Sequence, residues 1–176
     1  MQQVTVSAYD PLWADQYEAE SKQIVQALDG IVIGMEHIGS TAIPGLAAKP
    51  VIDMMAGVQL LEDVTDLYKD RLREIGYEFV DHAHFPERRF FRKGQWRAGT
   101  HHLHIYAYGS DHWNNQLLFK QYVTKYPEVL EAYSELKKGL EARHKADRVA
   151  YTEAKAPFIE EILRKARLEA NSCSQS

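Results

Sequence analysis

The period of the apolar residues changes several times along the chain, and each change marks an element. Between residues 10 and 30, Trp13, Tyr17, Ile24 and Leu28 recur at helical spacing, with Asp10 placed as a cap, Pro11 at the first helical position and Gly30 as a stop, so a helix is predicted over 11–29. Residues 31–38 then gather β-branched side chains and read as a strand, which ends in Gly39-Ser40-Thr41 before a segment punctuated by Pro44, Gly45 and Pro50. Residues 51–58 are apolar on both faces except at Asp53, the pattern of a central strand covered on both sides. Leu61, Val64, Leu67, Tyr68, Leu72 and Ile75 share one face of a second helix, predicted over about 60–75. Strands are expected over 77–81, 89–93 and 100–108, the last two joined as a hairpin by a loop containing Gly94. The C-terminal third is helical. Ser110 or Asp111 caps a helix carrying Trp113, Leu117 and Tyr122, Pro127 opens another, and Phe158, Ile159, Ile162 and Leu163 mark the last.

This order of helix, mixed sheet and helical cap is that of an α/β or α+β domain. A chain of 176 residues buries a core without disulfides or structural metal, so one domain is expected over 1–170, followed by a polar, disordered tail over 171–176. The only cysteine, Cys173, falls in that tail, where nothing would lower a thiol pKa. A net charge of -4 argues against a general nucleic-acid or anionic-membrane binder, so any basic site must be local. No apolar run approaches the length of about 18 residues that a bilayer span needs, and the segment Met1-Gln2-Gln3-Val4-Thr5 lacks the pattern of a signal peptide. A cytoplasmic protein is expected.

Three places along the chain concentrate chemistry. Gly39-Ser40-Thr41 follows a strand, so its backbone N–H groups and hydroxyls could cradle a phosphate; equally, its hydroxyls could bond to their own backbone in a plain turn. It is not a P-loop, because Gly45 is followed by Leu46-Ala47 and Lys49 arrives too late. Asp53, a lone carboxylate in an apolar strand, asks for a metal, a base or a substrate hydroxyl, or else pairs with Lys49 or an arginine. Along 100–108, the period of two places His102, His104, Tyr106 and Tyr108 opposite Leu103, Ile105 and Ala107. Histidines at i and i+2 are spaced to share a divalent metal or a phosphate with Asp53, or to hydrogen-bond within the sheet. Asp53 and this pair are expected around one cleft, within about 8 Å, the reach of a cation with its first shell or one bridging water. Residues 87–97 hold five basic and three aromatic side chains; alternation sets Arg88 and Arg92 against Arg89 and Lys93, so only one of these pairs can face a site. The plainer alternative is a solvated hairpin with surface ion pairs.

The run from His37 through Gly39-Ser40-Thr41, Pro44-Gly45 and Lys49-Pro50 to Asp53 resembles the signature of the GrpB family of nucleotidyltransferase-like proteins. The likeness continues through Arg89-Phe90-Phe91-Arg92-Lys93-Gly94, His102-Leu103-His104, Gly109-Ser110, Trp113, Arg148, Tyr151, Lys155, Phe158 and Ile159. It implies a nucleotidyltransferase-like mixed sheet flanked by helices, with a C-terminal helical cap. It also implies that Gly39 and Ser40 take phosphate, that Asp53 holds a divalent metal, Mg2+ or Mn2+, and that the work lies in nucleotide or coenzyme metabolism, since family members occur joined to dephospho-CoA kinase. In the wider superfamily the acidic strand offers two carboxylates two residues apart; here Met55 holds the second position, with His102 and His104 as replacement metal ligands. The expected function is metal-dependent transfer of a nucleotidyl or phosphoryl group from a small phosphorylated ligand or nucleotide. Gly39, Ser40 and Thr41 would lie on phosphate, with Lys49 and Arg89 or Arg92 neutralising it. The alternative that Met55 favours is a phosphate-binding module without turnover. A histidine-based phosphate hydrolase ranks last, because Tyr106 occupies the next alternating position.

Overall fold

The computed structural model describes residues 4–95 and 98–175. Trp96 and Arg97 of the basic stretch, Met1, Gln2 and Gln3, and Ser176 lie outside the described residues. The elements are α1 (Leu12–Ala27), β1 (Val32–Ile38), β2 (Ile52–Val58), α2 (Asp66–Glu74), β3 (Tyr77–Val80), β4 (Arg89–Gln95), β5 (Ala98–Ala107), α3 (Asp111–Lys125), α4 (Pro127–His144) and α5 (Arg148–Cys173). Asp10 caps α1 as expected, its carboxylate accepting the Leu12 N–H at 2.9 Å. The second helix is shorter than its pattern predicts. Asp63 folds back to accept the Leu60 N–H at 3.2 Å, which closes Leu61–Asp63 into one 3-10 turn and leaves α2 to start at Asp66.

Five strands form one sheet in the order β1-β2-β5-β4-β3, with β2 and β5 parallel and every other pair antiparallel. The hairpin β4–β5 forms as expected, but both strands run closer to the turn than the sequence pattern indicates, with Gly94 at a bulge and φ of 107°. β2 is central, as its apolar run predicts. Its alternate residues Ile52, Met54, Ala56 and Val58 join Leu103 and Ile105 of β5 and Phe91 of β4 in the main core, which α1 covers with Trp13 and Ile24, Leu28 just past its end, and α2 with Leu72. Each such apolar side chain contributes about 1.5–3 kcal/mol of burial free energy. Glu20 of α1 locks the far edge of the sheet, accepting the Tyr77 hydroxyl at 2.7 Å and the Lys93 ammonium at 2.9 Å.

The opposite face of the sheet carries Asp53 and Met55 of β2 and His102, His104 and Tyr106 of β5; α3 packs on it, and α4 and α5 pack on α3 and on Ile43 and Leu46 of the loop before β2. Asp147 caps α5, accepting the Ala150 N–H at 3.0 Å. Pro157 stands inside α5, where it withholds an N–H from the Glu153 carbonyl. The helix also reaches Cys173, well into the stretch expected to be a disordered tail. Ser172 and Ser174 spend their hydroxyls on the carbonyls of Leu168 and Ala170 at 2.9 and 3.0 Å, satisfying groups that a frayed end would leave to water. Among the described residues no helix is long and apolar enough to cross a membrane.

Helix α3 sits close to the sheet because Gly34 and Gly57 are cross-strand neighbours there. A Cβ on Gly57 would meet the Tyr108 ring at 2.7 Å and the Trp113 ring at 3.0 Å. Gly57→Ala is therefore expected to lower stability by about 1–3 kcal/mol through overpacking, read as a shifted midpoint in urea with an unchanged slope.

Candidate functional site

The register brings the expected residues together. Asp53 lies beside Ile38 at the end of β1 and beside His102 on β5, while Arg92 of β4 is the cross-strand neighbour of His102, and Phe90 that of His104. One carboxylate oxygen, Asp53 Oδ1, is 3.2 Å from His102 Nδ1 and 3.4 Å from His104 Nε2. Desolvation pushes the Asp53 carboxyl up, but these two imidazole contacts outweigh it and hold the group below the ordinary carboxylate range.

Arg88 settles the state of His104. Its guanidinium Nη1 lies 3.3 Å from His104 Nδ1, and its Nη2 lies 2.7 Å from His82 Nδ1. A guanidinium only donates, so both Nδ1 atoms accept, and His104 must carry its proton on Nε2, where it donates to Asp53. Burial, with the Arg88 charge beside it, pushes the His104 pKa down against the pull of Asp53; the same two causes lower His82. Arg88 is itself held between rings, 4.7 Å from the Phe85 centroid and 5.0 Å from that of Phe90. Both nitrogens of His104 are thus committed, and it has no lone pair to offer a cation. His102 differs. Its Nδ1 engages Asp53 while its Nε2 lies on the Gly99 side, where a Cβ would approach it to 3.6 Å.

The Gly39-Ser40-Thr41 turn closes over Asp53. Gly39 has φ of 70°, and a Cβ there would lie 3.0 Å from Asp53 Oδ2, so both the backbone conformation and the space require glycine. Ser40 is half-buried and its hydroxyl interacts with the Tyr133 phenol of α4. Thr41 departs from the phosphate role expected of it. It is 2% exposed, donates to the Val51 carbonyl at 3.3 Å and accepts from His37 Nε2 at 3.0 Å, which makes it a structural pin. His37 stacks on Tyr17 of α1, and burial followed by the nearby Lys120 charge pushes it down to about 4.

Beside the dyad of Asp53 and His102 opens a cleft of about 720 Å³ whose walls include Lys49, Val51, Phe90, Arg92, His102 and Arg148. Arg92 faces it and is paired at 3.7 Å with Glu78, a weak contact at an exposed carboxylate. Arg89 does not belong to the site. It falls in register with Ile105, on the α1 side of the sheet, and donates to the Pro86 carbonyl at 3.0 Å. Alternation separates the two arginine pairs; only the partners of β5 in the register decide which pair turns inward. Lys49 is present, its pKa lowered to about 8 by burial and then by Lys155 and Arg148. Sequence reasoning did not foresee the bridging role of Arg88, or His82, because their contacts join a loop to a strand across the sheet. Among the described residues no three His, Cys, Asp or Glu side chains are arranged to hold a metal by themselves. The two imidazoles occupy Oδ1, and Asp53 Oδ2 is the oxygen that lies beside the Gly39 turn. One carboxylate together with phosphate oxygens and water fits the way Mg2+ is usually bound.

The family model described as GrpB protein matches residues 3–165. The glutamate-rich protein GrpB of Alkalihalophilus pseudofirmus is 32% identical over 164 residues, covering 92% of this chain and 94% of that one. A dephospho-CoA kinase of Mycolicibacterium paratuberculosis is 28% identical, with 89% of this chain aligned to 44% of that longer protein. Among solved structures, the conserved protein GrpB from Enterococcus faecalis superposes with a TM-score of 0.87 at 35% identity, covering 94% of this chain and 99% of that chain. The Cid1 poly(U) polymerase in its Mg 3'-dATP complex superposes with a TM-score of 0.57 at 13% identity, covering 85% of this chain and 49% of that chain, so the nucleotidyltransferase-like fold is shared.

Two outcomes are expected here. Arg88→Met removes the donor to His104 Nδ1, so imidazole 15N NMR should change from a single Nε2–H tautomer to a mixture, with the His104 pKa raised. Unfolded His37 titrates near 6.5 and folded His37 near 4, so the unfolded state binds more protons between these values. Stability should therefore fall as pH drops from about 6.5 to 4, by about 2–3 kcal/mol for this group. His37→Gln should flatten that part of the curve in denaturant melts.

Proposed function

The chain belongs to the GrpB family, and from this site we propose that it binds a small phosphorylated ligand, a nucleotide by preference, and transfers a nucleotidyl or phosphoryl group to an acceptor. The observation that carries the reading is the glycine turn pressed onto a carboxylate. The Gly39 turn lies against Asp53 Oδ2, and there a phosphate on the Gly39-Ser40 segment and a divalent cation on the carboxylate, Mg2+ or Mn2+, would neutralise one another. Lys49 and Arg92 add positive charge along the adjoining cleft. The Cid1 polymerase, which shares the fold, binds Mg and 3'-dATP in its own complex, and this supports a metal–nucleotide ligand here.

A bound cation would supply charge neutralisation on the phosphate. The chain's own residues do the rest. His104 and His102 fix the Asp53 carboxylate, the first held neutral by Arg88. Because His102 spends its Nδ1–H on Asp53, its neutral form keeps a lone pair at Nε2, the atom placed to take the proton of an acceptor hydroxyl. Partial burial under the α4–α5 cap keeps water from competing for the transferred group.

A second reading, binding without turnover, has one observation in its favour. Met55, at the position of a second carboxylate, is fully buried with Ile38, Tyr106 and Trp113, so no second cation ligand is offered there. Asp53→Asn tests the cation role that both readings share, since the amide still accepts from the imidazoles but loses the charge a hard cation requires. Calorimetric titration with magnesium–nucleotide should show binding lost in the variant, with the fold retained in thermal melts. Unchanged affinity would make Asp53 structural. In the unaltered protein, magnesium-dependent binding with no product from any nucleotide and acceptor pair would favour the binding module.

A further inference from the structure

Above the sheet, two facing helices carry the same short pattern. On α4, Tyr133 is followed four residues later by Lys137; on α5, Tyr151 is followed four residues later by Lys155. Residues four apart share a helical face, and in both cases the ammonium lies over the ring of its own helix, at 4.7 Å for Lys137 and 4.8 Å for Lys155. A third ammonium, Lys49 from the loop before β2, approaches the Tyr151 ring to 4.4 Å. Lys137 is only 2% exposed, and its Nζ is buried with no hydrogen-bond partner among the described residues. No ion pair from Lys49, Lys137 or Lys155 to a carboxylate occurs among the described residues.

Three ammonium groups gathered under a helical cap, repelling one another and set against tyrosine faces, are costly to desolvate. The charge of Lys155 bears on both of the others. Burial, then Lys155, brings Lys137 down to about 7, and burial also lowers Lys155, against the pull of Asp53. Such a cluster is relieved by an anion. A single phosphate is too small a charge for three cations, and the cluster joins the sheet-end site through Lys49 and through Tyr133, which meets Ser40.

We infer that Lys49, Lys137 and Lys155 form an oligophosphate subsite, taking the charged tail of a nucleoside triphosphate or a free tripolyphosphate. This rests on the phosphate-binding part of the proposed function and not on its cation or its transfer step. The two readings therefore fail separately.

The experiment is calorimetric titration of the full chain with sodium tripolyphosphate in EDTA, for the unaltered protein and for Lys137→Met, Lys155→Met and Asp53→Asn. Tripolyphosphate should bind without metal and bind more tightly than orthophosphate. Each lysine substitution should weaken it about tenfold or more, the loss expected for a charged hydrogen bond, while Asp53→Asn should bind at least as tightly. Lys137→Met should keep or raise the melting temperature of the free protein, because it removes a buried unpaired charge. A nucleoside triphosphate binding more tightly than tripolyphosphate identifies the nucleotide as the source, and equal affinity identifies the free chain; both support the subsite. No binding of tripolyphosphate, affinity equal to orthophosphate, or lysine variants that bind like the unaltered protein would overturn it. Should Lys137→Met not fold, the half-buried Lys155→Met decides alone.

Discussion

The site depends on one carboxylate oxygen shared by two imidazoles. Asp53 Oδ1 meets His102 and His104 only because β2 and β5 are parallel neighbours and their side chains alternate in phase. A one-residue slip of β2 would turn Asp53 into the main core, and one of β5 would bring Leu103 and Ile105 to the cleft. The fully buried Ile52, Met54, Leu103 and Ile105 on the other face therefore protect the site as much as they stabilise the fold. Arg88 extends the same constraint into the loop before β4. By donating hydrogen bonds to two Nδ1 atoms it keeps His104 neutral and leaves His102 as the imidazole with an end turned to the cleft.

Charge is divided unevenly around this point. Within the site Asp53 is a negative group held below the ordinary carboxylate range, while Lys49, Arg92 and Arg148 line the cleft and Lys137 and Lys155 approach from the cap. The chain as a whole is negative, with a net charge of -4, so the local excess of cations belongs to the site and not to the surface. The proposed ligand, anionic but compact, is consistent with both facts.

The elements were largely legible in the sequence, because each carries its own punctuation. Asp10-Pro11, Ser110 and Pro127 start helices where expected, and the lone Asp53 in an apolar run marks the central strand. The residues of the sheet-end pair were legible too, since a period of two is enough to place His102 and His104 on one face. What was not legible depends on partners distant in the chain. Arg89 and Arg92 cannot be ranked until β5 chooses which face of β4 meets it; Thr41 looks like a phosphate ligand until His37 and Val51 claim its hydroxyl. The tail was misjudged for a local reason. Asn and Ser are weak helix formers, so their run concealed a helix that continues to Cys173, in which the serine hydroxyl of Ser172 bonds back to the Leu168 carbonyl.

The position of Met55 follows from the way α3 docks. That helix begins at Asp111, lies on the glycine pair Gly34 and Gly57, and sets Trp113 and Leu117 against Ile38, Met55 and Tyr106. A carboxylate at 55 would point into this apolar layer, where desolvation would raise its pKa and favour the neutral form. The packing that holds α3 on the sheet thus disfavours a second acidic cation ligand on β2. The same helix supplies Lys120, whose ammonium donates to the His37 carbonyl at 2.9 Å and secures the strand end that leads into the Gly39 turn. One packed helix therefore both secures the strand end that leads into the Gly39 turn and buries position 55 in an apolar layer, so the proposed ligand would be neutralised by a single carboxylate-bound cation and by the lysines of the cap.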